Sequence, residues 1–238
     1  MIITVDGPAA AGKGTLARAL ASHYGLNFLD TGTLYRRVAL ALLKRGQGDG
    51  GAEVATHIAL GLDREPWSDE ELRTETVASL ASVVAAIPGV RTALLGYQRS
   101  FAAKLPGAVL DGRDTGTVVC PDADAKIFVT ASPEVRARRR HEELRAAGLH
   151  ADLETVLAEV RSRDERDRTR VVAPLLPARD AVILDTSDMS IAEALAAAQK
   201  FAGDRAGARS RGREATAVDV VGVAAGAESA PHGVEVGA

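Results

Sequence analysis

Gly7-Pro8-Ala9-Ala10-Ala11-Gly12-Lys13-Gly14-Thr15 form one run near the N-terminus. The run fits a glycine, four residues, Gly-Lys pattern, with one glycine inserted before the threonine. That chemistry suits phosphate. Backbone N–H groups of such a loop converge on phosphate oxygens, and the N-terminus of the helix that follows adds partial positive charge. Gly12 and Gly14 permit dihedrals and close approaches that a side chain would block. Lys13 supplies a point cation for the β- and γ-phosphates of ATP, and Thr15 offers its hydroxyl to Mg²⁺. A glycine-rich turn that merely opens a helix is the competing reading. It is the weaker one, because a strand-like and a helix-like segment flank the run as a phosphate loop requires. The Lys-Gly-Thr ending leans toward small-molecule kinases, and the chain has no Asn-Lys-x-Asp motif for reading guanine.

A second acid stands apart from this loop. Ala108-Val109-Leu110 is an apolar run that ends in Asp111. If that strand neighbours the first, Asp111 arrives beside the loop at the carboxyl edge of the sheet and could orient Mg²⁺ or its waters. A plain strand-ending turn, helped by Gly112, is an equal reading of these residues taken alone. Arg113 and Asp114 follow at once and place a basic and an acidic side chain at the same edge.

Phosphoryl transfer needs charge neutralisation more than it needs a strong base, and the planar fork of arginine suits that task. Arg36, Arg91, Arg113, Arg163, Arg166 and Arg170 are the candidates. Arg161 to Arg170 holds five arginines against three acids, so part of it could be a self-neutralised, solvated helix face. Arg136, Arg138, Arg139 and Arg140 read as the closing side of the same device. They lie on a charged helical hairpin from Ser132 to Arg170, with Gly148 near its apex. Closure over the phosphates would exclude water. The five histidines show no metal-ligand spacing and receive no catalytic role. Trp67 and Tyr97 read as packing residues.

The elements that must position these groups follow from pattern. Ile2 to Val5 is a β-branched run stopped by Asp6-Gly7-Pro8, and Thr15 to Tyr24 is helical. Phe28-Leu29 is a brief strand, Leu34 to Leu43 a helix, and two helices cover roughly Glu70 to Ala86 and Gly89 to Leu105. Strands follow at Ala108 to Leu110, Lys126 to Thr130 and Val182 to Leu184. Ser132-Pro133 opens one helix, Asp152 to about Asp167 forms another, and Ser190 with Glu193 makes a capping box for the last, ending near Phe201. Strands separated by helices predict a mostly parallel sheet with helices on both faces.

A length of 238 residues allows one α/β core, with at most a small subdomain. The formal net charge of -3 gives no reason to expect nucleic acid as a partner. Cys120 is the only cysteine, which excludes an intramolecular disulfide and a cysteine metal cluster. The N-terminus carries no leader pattern, and the apolar run Ala78 to Ile87 is too short to span a membrane. A cytoplasmic protein is expected. Residues 203–238 lack Leu, Ile, Phe, Tyr and Trp and read as a disordered tail.

The chain resembles the bacterial cytidylate kinases, a branch of the nucleoside monophosphate kinases, from about Ile2 to Phe201. The pieces that carry the resemblance are Asp6 to Thr15, Leu29-Asp-Thr-Gly-Thr-Leu-Tyr-Arg36, Asp111-Gly-Arg-Asp-Thr-Gly-Thr117, Arg163 to Arg170, and Val171-Val-Ala-Pro174. The resemblance implies a P-loop fold with five parallel strands, an acceptor-binding part over about 33–105 and a lid over about 132–170, all in one domain of residues 1–202. It implies ATP as donor, Mg²⁺, CMP or dCMP as acceptor, and a monomer. By it, Lys13, Arg113, Arg163 and Arg170 are catalytic. Arg36, Arg113 and Arg170 grip the acceptor phosphate, while Ser82, Arg91 and Asp114 read the cytosine edge. Tyr35 and Asp167 lie beside the sugar, Arg163 lies by the phosphates, and Asp111 sits with Thr15 on the magnesium side. The residue types agree, since an exocyclic amine wants an acceptor and a ring carbonyl wants a donor. Two departures stand out. Leu62 to Leu72 leaves no room for the small β-rich insertion that many members carry in the acceptor-binding part, and the tail is long. A kinase of a non-nucleotide alcohol and a non-catalytic nucleotide switch are the competing functions.

Overall fold

The computed structural model describes residues 1–47, 51–64 and 67–205. Five strands form one parallel sheet: β1 (Ile2–Asp6), β2 (Asn27–Asp30), β3 (Ala108–Gly112), β4 (Ala125–Thr130) and β5 (Val182–Asp185), in spatial order β2-β3-β1-β4-β5. β1 is central, so a run of β-branched residues suits it: Ile3 and Val5 are fully buried. The register aligns the strand ends. Val5 pairs with Asp111, Asp6 with Gly112, and Asp30 with Asp111, which gathers three acids at one edge.

Side chains alternate across this sheet. Ile3, Val5, Val109, Ile127 and Val129 pack beneath α1 (Lys13–Tyr24) and a last helix, α9, over residues 191–205. On the other face Leu110 and Ala108 meet Leu95, Phe101 and Ala102 of α6 (Pro88–Ala102) and the tight turn Thr115–Val119. A separate core joins α2 (Thr31–Lys44), α3 (Ala52–Leu60), α4 (Asp69–Leu72), α5 (Glu75–Val84) and part of α6. A third, small one lies inside the hairpin of α7 (Pro133–Ala146) and α8 (Leu153–Thr169), around Ala137, Leu144, Val156 and Val160. Gly148 turns that hairpin at φ 75°. Among the described residues no single helix is long and apolar enough to cross a membrane.

Local chemistry explains the boundaries. Ser132 caps α7 by accepting from Val135 N–H at 3.3 Å, with Pro133 at the first helical position. Asp152 caps α8 through Thr155 N–H. Ser190 and Glu193 exchange bonds at the start of α9. The helix expected over 70–86 is two helices, because Thr74 accepts from Val77 N–H and starts a new one. α3 was not anticipated, and α9 runs to residue 205, past the expected tail boundary at 203. The rest of the expected tail lies outside the described residues.

Candidate active site

The donor loop leaves β1 at Gly7. A Cβ there would stand 1.9 Å from the Val129 carbonyl oxygen, so only glycine lets the loop lie against β4. Gly12, at φ 85°, turns the chain into α1, whose N-terminus has no side-chain cap. Its first N–H groups lack intrahelical acceptors by geometry and are therefore open to a ligand. Lys13 is 6% exposed and donates to the Pro8 carbonyl at 2.8 Å, with Asp111 Oδ1 at 4.0 Å. Burial pushes the Lys13 ammonium down to about 8; Arg113 adds to this, while Asp111 and Asp30 oppose it. Burial also raises the Asp111 carboxyl, against the pull of Lys13.

A cleft of about 1680 Å³ opens over this edge. Ala9, Ala10, Gly12, Lys13, Gly14 and Thr15 line it, and so do Tyr35, Arg36, Ser82, Arg91, Asp111, Arg113, Asp114, Arg163, Asp167 and Arg170. The acceptor-side residues named from the sequence are thus brought together from α2, α5, α6, β3 and α8. Gly7, Pro8 and Ala11 of the expected donor loop are absent from its walls. Gly7 backs onto β4, Pro8 borders a second hollow, and Ala11 is buried with its carbonyl accepting from Thr186.

Charges in the cleft are interlocked. Arg91 is buried, donates to Asp114 Oδ2 and to the Ala85 carbonyl, and lies 5.7 Å from the Tyr35 ring centre. Arg170 Nη2 stands 3.5 Å from the other oxygen of Asp114. Arg113 Nε donates to Asp167 at 2.8 Å. Burial would push Asp167 up, but Arg113 wins and holds it below its ordinary value. Arg163 is pushed down to about 10 by burial and by the neighbouring Arg113. Arg36 approaches Asp30 at 3.7 Å.

Four polar atoms on cleft-lining residues are buried with no hydrogen-bond partner: Arg37 Nε, Ser82 Oγ, Arg163 Nε and Arg170 Nη2. Leaving such groups unpaired is costly in a finished fold, so their presence along one cleft suits a polar ligand.

The expectation for the hairpin arginines needs correction. Of Arg136, Arg138, Arg139 and Arg140, only Arg140 lines the cleft. Arg136 is 3% exposed and binds both oxygens of Asp164, the Ala131 carbonyl and the Ala9 carbonyl. It is a strut between α7, α8 and the donor loop, and it is satisfied there without phosphate. Arg139 holds Thr186. Arg140 reaches Glu75 at the start of α5 and so joins the hairpin to that helix. Trp67 and Tyr97 are not packing residues either. They are 43% and 41% exposed, and both line the cleft, with Arg37 5.2 Å from the Trp67 ring centre. Asp6, read from sequence only as part of a turn, is buried and accepts three hydrogen bonds. A carboxylate ending an otherwise β-branched, buried central strand was the available signal.

A family model for cytidylate kinase matches residues 3–202. A cytidylate kinase of Xanthobacter autotrophicus is 58% identical over 198 residues, which covers 83% of this chain and 95% of that protein. One from Bradyrhizobium diazoefficiens is 53% identical over 212 residues, covering 89% and 100%. Among solved structures, an uncharacterised protein from Eubacterium ventriosum superposes with a TM-score of 0.50 at 13% identity, over 85% of this chain and 98% of the other; that is a likeness of fold. The matched span takes in both the donor loop and the arginine-lined cleft, and the chain belongs to the cytidylate kinase family.

Proposed function

We propose that this chain transfers the γ-phosphate of ATP to CMP or dCMP, giving ADP and the nucleoside diphosphate. The observation that carries the reading is the meeting, in one cleft, of an uncapped glycine loop with Ser82 Oγ and Arg163 Nε, both buried without a hydrogen-bond partner, and with Arg170 Nη2, which approaches Asp114 at 3.5 Å without a hydrogen bond. In this reading the loop N–H groups and Lys13 hold the β- and γ-phosphates of the donor. Arg36, Arg113 and Arg170 hold the acceptor phosphate, whose oxygen attacks in line. Ser82, Arg91 and Asp114 read the cytosine, and Tyr35 and Asp167 flank the sugar. Arg163 and Arg113 meet the charge spread over the migrating group, where fixed cations contribute most.

Thr15 and Asp111 fit Mg²⁺. A Cβ on Gly14 would lie 3.3 Å from Asp111 Oδ2, so the first turn of α1 and this carboxylate are neighbours. Among the described residues no group of three or more His, Cys, Asp or Glu could hold a metal alone. That suits an ion which keeps several waters and takes the rest of its shell from substrate phosphates. When bound it would neutralise phosphate charge beside Lys13. The proposal extends to one catalytic domain over 1–202, with the acceptor-binding part at about 33–105 and the lid at about 132–170, acting as a cytoplasmic monomer.

A coupled assay of ADP release with ATP and Mg²⁺ across CMP, dCMP, UMP and AMP tests the reading. CMP or dCMP should lead. Equal or better turnover of UMP or AMP would sink the cytosine assignment, and release with an alcohol but no monophosphate would replace the acceptor class.

A further inference from the structure

Asp6 is buried behind the cleft, between the start of the donor loop and the turn that follows β3. It is the last residue of β1, directly before Gly7, where the donor loop begins. Its Oδ1 accepts from Thr115 N–H and Thr115 Oγ1, both at 2.8 Å, and Oδ2 accepts from Gly116 N–H at 2.7 Å. Asp6 is 5% exposed and Thr115 fully buried. Close packing reinforces the bonds: a Cβ on Gly116 would fall 2.8 Å from Thr4 Oγ1 and 3.3 Å from Asp6 Oδ2. The residues immediately before this pinned pair are Arg113 and Asp114. Sheet pairing fixes the other side of the same segment, since Asp6 aligns with Gly112.

The residue type is demanding. Two backbone N–H groups approach different oxygens of one side chain, and only a carboxylate offers acceptors at both positions. An asparagine would face one of those N–H groups with its own NH₂, whichever way it flips. Burial acts against the charge and pushes the carboxyl up to about 6, so the site holds its carboxylate against a desolvation penalty.

We propose that Asp6 is a positioning residue for acceptor selection: it locks the turn at Thr115–Gly116 and so holds Arg113 and Asp114 at a fixed offset from the donor loop. This rests on the reading that Asp114 faces the cytosine. The mechanical link runs through one residue whose backbone leads into the donor loop and whose side chain holds the acceptor-reading turn. A carboxylate that merely satisfied two stray N–H groups would affect stability without affecting which base is chosen.

The test compares wild type, Asp6→Asn, Thr115→Val and Asp114→Ala. Each is measured for kcat/KM with CMP and with UMP, for ATP affinity by calorimetry, and for melting temperature. Asp6→Asn should lower the CMP-over-UMP ratio about tenfold, as one mispaired buried donor implies. ATP affinity should stay within about twofold. Thr115→Val, which loses only the hydroxyl bond, should lower the ratio in the same direction by a smaller factor. It carries the test alone if Asp6→Asn is too unstable to assay. An unchanged ratio in whichever of these variants folds, or an equal loss of ATP affinity, overturns the proposal. If Asp114→Ala lowers the ratio while Asp6→Asn does not, only the role of Asp6 falls. If Asp114→Ala leaves it unchanged, the reading of Asp114 falls first and takes the proposal with it.

Discussion

Replacing Arg136 with methionine separates two accounts of the hairpin arginines. Methionine keeps much of the side chain's apolar bulk but removes the guanidinium. Asp164, 7% exposed, is then left with no cation on either oxygen. Removing one partner of a buried pair typically costs about 3–5 kcal/mol, because the other charge stays in a poor solvent. Side-chain exposures of 3% and 10% leave little room for screening by water. The variant should lose about 3 kcal/mol in urea denaturation, equivalent to roughly 10 °C in Tm for a domain of this size. The double variant Arg136→Met, Asp164→Leu should recover most of that loss, since an apolar pair tolerates the same burial. Hydrogen exchange should show the single variant's loss first in α7 and α8, whose own core is small. In the double variant kcat should remain within about tenfold of wild type, because Arg136 meets carbonyls and Asp164 and does not line the cleft. A single variant as stable as wild type would refute the strut. A fully stable double variant with no turnover would return Arg136 to the phosphate-holding set.

Lys13→Ala should fold, yet lose at least about 100-fold in kcat, the scale of removing one preorganised donor from a transition state; steady-state kinetics and circular dichroism check both halves. With the Lys13 ammonium lowered to about 8 by burial, the cation is lost above that pH in the free enzyme. kcat/KM for ATP should therefore fall on the alkaline side with a midpoint near 8, while the matching limb in kcat should sit higher, since bound phosphates favour the charged lysine. A flat profile to pH 10 would contradict this. Ser82→Ala should leave Tm unchanged or slightly raised, because its Oγ is buried with no partner, while the KM for CMP rises; a fall in Tm with an unmoved KM would make Ser82 structural.

The parts legible in the sequence are those whose function lies in local backbone geometry. Gly7 and Gly12 announce the donor loop because their conformations and clearances exclude other residues, and this is a property of consecutive positions. The five strands and the caps at Ser132 and Ser190 were readable for the same reason. Partner choice was not readable. Arg136 and Arg163 look alike as residues, yet one finds Asp164 on the facing helix and the other is left with an unpaired Nε. Arg91 meets Asp114 across 23 residues, and Asp6 meets Thr115 across 109. No periodicity encodes such contacts. Trp67 and Tyr97 misled because large aromatic side chains are buried on average, and only the cleft's position reveals them as its walls. α3 escaped notice because Ala52–Leu60 directly follows the glycine-rich stretch from Gly46 to Gly51.

Trp67 has an optical consequence. It is the chain's only tryptophan, so light at the red edge of the protein absorption band excites one indole at one place. That place is a wall of the cleft, half in water and faced by the Arg37 guanidinium. The sheet and its helices contribute no indole, so their packing is dark at that wavelength. Emission from the unmodified protein therefore follows the wetting and crowding of a single cleft wall, with no dye attached.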